Sequence, residues 1–265
     1  MSEIPPMIDI KIEVDIFRKL LMPAKALNEE CVLRFTKEDL EVPVDDPANI
    51  AYADIFLGSG AFKRYEVTDD QVEIGVEIGK IESAFKYAEK SALASLNYDS
   101  ESGLLHIDVD GQESQIATIN ANEAIDVQPD LDIEYSSKVI LPGTEFKQGV
   151  KIASEFSDYL VIYIKEEDRS LRMRGSGDVN LTERTVSEDD LESIDVGTAS
   201  GVYSLDYLEN LLGAINDNVS VHLQLAREDR PMEINFTFAD GHGRVNILIA
   251  PRIQSDATSN PTSET

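Results

Sequence analysis

The sequence predicts an α+β fold in which two similar domains follow one another. Two observations carry that expectation. The same order of strand, helix, strand and acidic turn is written twice, from about Ile8 to Ile119 and again from about Ser137 to Ile253. Outside the helices the chain is dominated by runs that alternate apolar and polar residues and meet at Gly-containing turns, the signature of antiparallel strands. A repeat of this length exceeds the roughly 20–50 residues of solenoid units, so it reads as two domains rather than as an array.

Each copy opens with a strand and a helix, expected at Val14–Asn28 in the first and Gly143–Ser157 in the second. Pro23 falls inside the first helix. It removes a backbone donor and crowds the carbonyl of Lys19, so a kink or a break into two short turns is expected there. An apolar strand follows each helix and ends in acidic residues: Cys31-Val-Leu-Arg-Phe before Lys37-Glu-Asp, and Tyr159-Leu-Val-Ile-Tyr-Ile before Lys165-Glu-Glu-Asp. A second helix is expected at Ile78–Ser91 and at Ser204–Asn216, each followed by alternating strands.

In the first copy Leu104-Leu-His-Ile-Asp-Val turns at Asp110-Gly111 into Ser114-Gln-Ile-Ala-Thr-Ile. Asp-Gly between alternating runs marks a hairpin, and a calcium loop here would lack its third acidic position and its terminal Glu. In the second copy Val219–Leu225, Met232–Phe238 and Arg244–Ile249 read as strands, the last two joined at Asp240-Gly-His-Gly. The expected division is a domain over residues 1–119, a connector over 120–134, a domain over 135–254 and a tail over 255–265. The connector carries Ile125, Val127, Leu131 and Ile133 among five acids, more apolar spacing than a plain linker needs. The tail is polar and expected to be disordered.

Hydrophobic residues make up 42% of the 265, enough for two cores, and with no Trp the packing falls to Leu, Ile and Val. The single cysteine, Cys31, rules out an internal disulfide and sits in an apolar strand, where a small buried hydrophobe is expected rather than a nucleophile. No signal peptide or membrane-length apolar run is present, and the protein is expected to be soluble and cytoplasmic. No catalytic constellation, metal-ligand spacing or cofactor loop is legible: His106, His222 and His242 share no spacing, and Gly58-Ser-Gly60 lacks the dinucleotide pattern. Asp45-Asp46 before Pro47 reads as a solvated turn rather than an acid–base pair.

Charge is the unusual quantity. There are 51 acids against 23 bases, a net charge of −28, spread along the whole chain, which fits a protein built for molar salt. The four expected helices are the exception, holding eight of the 23 bases and only seven of the 51 acids. Those bases are Arg18, Lys19, Lys25, Lys80, Lys86, Lys90, Lys147 and Lys151; the fourth helix has none. If the helices share a face, that face is the one a phosphate backbone can approach.

Three segments carry a family likeness: Val44-Asp-Asp-Pro-Ala-Asn-Ile-Ala-Tyr-Ala, Tyr203-Ser-Leu-Asp-Tyr-Leu, and Leu248-Ile-Ala-Pro-Arg-Ile-Gln at the end of the last strand. Together they resemble the archaeal sliding clamps, relatives of proliferating cell nuclear antigen, and most of all those of salt-loving archaea. The resemblance runs in order from Ile8 to Ile253. It implies the DNA-clamp fold: a homotrimeric ring, helices lining the channel and antiparallel sheets outside, closed around duplex DNA without sequence preference. It implies a processivity factor without chemistry or cofactor of its own. The ring would tether DNA polymerase, clamp loader, ligase and nucleases through short peptides with an apolar plug.

Carried over by position, the eight helix bases face DNA. The peptide pocket is Ile50, Tyr52, Val127, Leu131, Pro231, Leu248, Ile249, Ala250, Pro251 and Ile253. Subunits meet by pairing the edges Gln112–Asn120 and Gly177–Thr185, with Ile116, Val179 and Leu181 buried between them. The chain departs from the family at Asp45, where an apolar pocket residue is usual, at Pro23, and in its base-free fourth helix. These departures admit an alternative: a clamp-like decoy, or one member of a mixed ring, that binds clamp partners without encircling DNA alone.

Overall fold

The structure, a computed structural model, describes residues 7–121, 133–177, 179–227 and 230–252. Each half of the chain follows one element order. The first half runs β1 (Ile8–Glu13), α1 (Val14–Leu27), β2 (Glu30–Thr36), β3 (Asp39–Asp45), β4 (Ala51–Gly58), β5 (Arg64–Val67), β6 (Gln71–Glu77), α2 (Ile78–Phe85), β7 (Leu93–Asp99), β8 (Leu104–Val109) and β9 (Gln112–Ala117). The second runs β10 (Ser137–Pro142), α3 (Gly143–Ser154), β11 (Tyr159–Lys165), β12 (Ser170–Ser176), β13 (Leu181–Val186), β14 (Ser193–Asp195), β15 (Ser200–Ser204), α4 (Leu205–Leu211), β16 (Ser220–Leu225), β17 (Met232–Phe238) and β18 (Gly243–Ile249).

The sheets repeat the same way. In the first half β5-β1-β7-β8-β9 form one sheet. Its counterpart in the second half, β14-β10-β16-β17-β18, continues through β18 into β4-β3-β2-β6 of the first half, making nine strands. The counterpart of that last run, β13-β12-β11-β15, stands as a separate four-stranded sheet. The two halves are therefore joined by one antiparallel ladder, β18 against β4, from Gly243 opposite Leu57 to Ile249 opposite Ala51. The equivalent strands β9 and β13 are left as free edges.

The helices form a layer in the order α2–α1–α4–α3. The stripe of α1, Val14, Phe17, Leu20, Leu21, Ala24 and Leu27, follows helical spacing and is buried throughout. Across the midline α1 packs against α4 and the turn beyond it so closely that a Cβ on Gly213 would come within 2.6 Å of Met22 Sδ. Buried residues of both halves form one continuous core.

Two expectations need correction. Of the kink or break expected at Pro23, the break is absent: α1 runs unbroken from Val14 to Leu27 with Pro23 buried, and it closes where Asn28 N–H, at the C-cap, donates to Ala24 O at 2.9 Å. Helices α2 and α4 are shorter than their apolar content suggests. Beyond Phe85 and Leu211 the chain continues in tighter turns, with Ala88 N–H donating to Phe85 O and Ala214 N–H to Leu211 O. The Asp110-Gly111 hairpin forms as expected. Both residues take left-handed φ, 51° and 78°, and strand pairing resumes at once with Val109 opposite Gln112.

Candidate partner pocket and channel face

Strand alternation decides which of the expected pocket residues can meet a ligand. Tyr52 stands opposite Leu248 in the β4–β18 ladder and opposite Asp45 in the β3–β4 ladder, while Leu248 also faces Glu233 on β17. These side chains share the sheet face turned away from the core, and Tyr52 and Leu248 are half-buried on it. Burial, followed by the Asp54 carboxylate, raises the Tyr52 hydroxyl pKa well above the usual phenol range.

Ile249, one residue along, is fully buried opposite buried Ala51. It belongs to the core, and its place in the pocket is a correction. Ala250 N–H donates to Ile50 O at 2.8 Å, which sets Ile50, 39% exposed, beside the end of β18. Pro231 and Pro251 are half-buried nearby in the chain order, flanking β17 and β18. Val127, Leu131 and Ile253 lie outside the described residues.

Several residues that sequence reasoning missed frame this surface. Arg252 N–H donates to Val202 O at 2.7 Å, and its guanidinium lies 4.0 Å from the centre of the Tyr159 ring, so the segment after β18 is fastened at Arg252 to β15 and β11. Tyr135 lies beside Glu233, its pKa raised first by burial and then by that carboxylate.

Asp46 is not solvated as expected: it is 7% exposed and its Oδ2 accepts from Ala48 N–H at 3.0 Å and Ile50 N–H at 3.2 Å. The Tyr207 hydroxyl on α4 faces it, and burial with that carboxylate pushes the phenol up to about 12. The Asp-Pro-Ala-Asn string signals such a turn, but nothing in it points to a partner in the other half of the chain.

On the helix layer, five of the eight expected bases are held by their own chain. Lys19 pairs with Asp15 at 2.7 Å, Lys25 with Glu82, and Lys80 with Glu77. Arg18 donates to Phe85 O, joining α1 to α2. Lys147 reaches from α3 to Asp217 at 2.8 Å and to Ile215 O at 3.1 Å. Its ammonium holds the Asp217 carboxyl below the usual range. Among the described residues Lys86, Lys90 and Lys151 are exposed and make no ion pair; Lys86 lies 5.5 Å from the centre of the Tyr87 ring.

The two expected edges are sheet edges, β9 and β13. Val179 and Leu181 are 91% and 61% exposed, and Phe156 beside Gly177 is exposed with them. Ile116 is different. It is 6% exposed, facing the core of its own chain, and so cannot bury against a neighbour as expected.

Residues 130–252 match the family model for the proliferating cell nuclear antigen C-terminal domain. The DNA polymerase sliding clamp of Haloarcula marismortui is 32% identical over 246 residues, which cover 92% of this chain and 98% of that one. The chain belongs to the DNA polymerase sliding clamps. The clamp of Natronomonas pharaonis is equally similar, 32% over 246 residues with the same coverage. The fold agrees: the structure of A. fulgidus PCNA with the C-terminal region of FEN-1 bound superposes with a TM-score of 0.86 at 23% identity, over 94% of this clamp and 100% of that chain. In this clamp Cys31 is buried and its thiol is pushed up to about 12 by desolvation, so at neutral pH it carries no nucleophilic thiolate.

Proposed function

We propose that three copies of this clamp close into a ring around duplex DNA and hold replication and repair proteins to it. The observation that carries the reading is the pairing of β18 with β4 inside the chain while their counterparts β9 and β13 stand free. Pairing β9 of one copy with β13 of the next repeats the internal junction, and a head-to-tail arrangement of this kind closes a ring when its rotation divides a full turn. Residues 1–119 and 135–254 would be the two clamp domains, 120–134 their connector and 255–265 a tail. Val179 and Leu181 would be covered at the new junction.

The helix layer then faces the duplex. Lys86, Lys90 and Lys151 are available to phosphates, and Arg18, Lys19, Lys25, Lys80 and Lys147 act mainly by neutralising acids beside them. A grip this sparse suits a ring that holds DNA by enclosure and slides, since affinity for phosphate would only slow it. Polymerase, clamp loader, ligase and nucleases would dock an apolar plug on Tyr52, Leu248 and Ile50, framed by Pro231, Ala250, Pro251 and the connector residues Val127 and Leu131. Ile253 would continue the same frame. The clamp supplies tethering and no chemistry, and works in the cytoplasm with the chromosome.

The base-free α4 favours a second reading, in which this chain is a decoy or shares a mixed ring with a more basic partner. Loading separates the two. A clamp placed on a nicked circular plasmid by its clamp loader should co-elute with the plasmid and come off when the plasmid is cut. Failure to stay on the circle, or retention undiminished by cutting, contradicts encirclement by this chain alone.

A further inference from the structure

Asp46 is the only charged side chain that is buried among the described residues, and it sits at the rim of the proposed pocket rather than in the core of a sheet. The turn it governs, between β3 and β4, contains Asn49 with φ of 55°, a left-handed conformation that does not hold itself. Asp46 closes that turn from within. Its backbone N–H donates to Ala51 O at 2.9 Å, its carbonyl accepts from Asn49 N–H at 2.8 Å, and its carboxylate takes the N–H groups of Ala48 and Ile50.

The turn is also met from outside at three places. Asn28, capping the end of α1, donates through Nδ2 to Asp45 O at 3.2 Å. Tyr207 of α4 brings its hydroxyl to Asp46. On the far side Ile50 O accepts from Ala250 N–H, beyond the end of β18. The rim is thus fixed between the end of α1 and the C-terminal segment with α4 beside it, and Asp46 bonds the turn that lies between the tied residues Asp45 and Ile50.

We propose that Asp46, bonded to the backbone of its own turn, is a positioning residue for partner recognition: it sets the rim that presents Ile50 to an apolar-plug peptide. The inference rests on the pocket reading above. A buried carboxylate taking two backbone N–H groups is an arrangement whose loss leaves those donors unpaired, so the turn relaxes and the plug loses its preformed wall. The same arrangement explains why an acid tolerates burial here in a chain rich in acids that are otherwise on the surface.

The test is calorimetric titration of the full clamp, in molar KCl, with a synthetic peptide of the FEN-1 C-terminal region. Asp46→Ala should weaken binding by about tenfold or more, and Tyr207→Phe, which removes the hydroxyl facing the carboxylate, by roughly threefold to tenfold. Asp46→Asn keeps an acceptor oxygen for the turn and should restore most of the affinity. Mass in solution and melting temperature should stay those of the parent for Tyr207→Phe, which separates rim positioning from general stability. Ile50→Glu and Leu248→Glu serve as controls on the pocket itself. If these abolish binding while Asp46→Ala and Tyr207→Phe bind like the parent, the positioning role is wrong and the pocket stands. If the controls too bind like the parent, the pocket reading falls and the positioning role with it. Should Asp46→Ala not fold, Tyr207→Phe decides alone.

Discussion

Tyr52 stands directly opposite Leu248, and this pair on the outer face lies beside a pair on the inner face, Ala51 opposite Ile249, in the one ladder that joins the two halves. Neighbouring residues of one motif therefore have different work. Ile249→Ala should cost about 2–5 kcal/mol of stability, as for a fully buried aliphatic side chain. Leu248→Ala should cost about 1 kcal/mol or less, since its side chain is half-buried at the surface. Urea denaturation of both variants, alongside peptide titration, checks the division: Leu248→Ala loses affinity at nearly full stability.

That difference between neighbours marks where a single sequence stops being legible. Helix α1 and the start of α3 can be read because their apolar residues recur at helical spacing, and the Asp110-Gly111 hairpin because its residues favour left-handed φ. The ends of α2 and α4 cannot: beyond Phe85 the chain turns tightly with Tyr87 exposed, and beyond Leu211 tight turns bury Leu212, Ala214 and Ile215 as a longer helix would. Pro23 sits on the buried face, where packing outweighs the lost bond. The pocket's strand segments are found by resemblance, but resemblance places Ile249 and Ile116 on surfaces, because the face of a strand depends on register, which a single sequence does not fix. The burial of Asp46 escapes the sequence for a related reason: its partner Tyr207 lies in the other half of the chain.

The edge residues give a second prediction. Val179→Asp with Leu181→Asp places charge where β13 would meet β9 and should lower the solution mass toward one chain. The melting of the isolated chain should change little, since both side chains are exposed. Ile116→Ala should do the reverse, lowering stability by about 2–5 kcal/mol through its cavity while the surviving folded clamp still assembles. Light scattering and thermal melting on the two variants distinguish the roles.

The helix bases should divide as their partners do. Replacing Lys86, Lys90 and Lys151 together by Ala should make DNA binding less salt-dependent, lowering the slope of log K against log salt by up to about 0.9 for each phosphate no longer neutralised. Replacing Lys25 and Lys80, which are paired with Glu82 and Glu77, should change the slope less. Equal slopes for the triple- and double-substituted clamps would contradict this division.

Cys31 supplies a pH dependence. Its folded thiol titrates at about 12 against a reference of 9.0, because burial disfavours the thiolate. A raised pKa means that the folded state keeps its proton where the unfolded chain has lost it. The associated stability is present below pH 9 and declines as pH rises toward 12, by at most about 1.4 kcal/mol per pH unit. Cys31→Val removes this contribution, so the fall in unfolding free energy above pH 9 should be shallower in the variant than in the parent. The folded parent should also resist thiol alkylation at about pH 8 until denaturant is added.

The most direct test of the ring is the mass of the clamp in molar KCl, by light scattering behind a sizing column. The account predicts three times the chain's 29.3 kDa, and a single-chain mass for the Val179→Asp, Leu181→Asp variant. A parent clamp that stays at one chain's mass at every concentration would contradict self-assembly through β9 and β13, and with it encirclement of DNA by this chain alone.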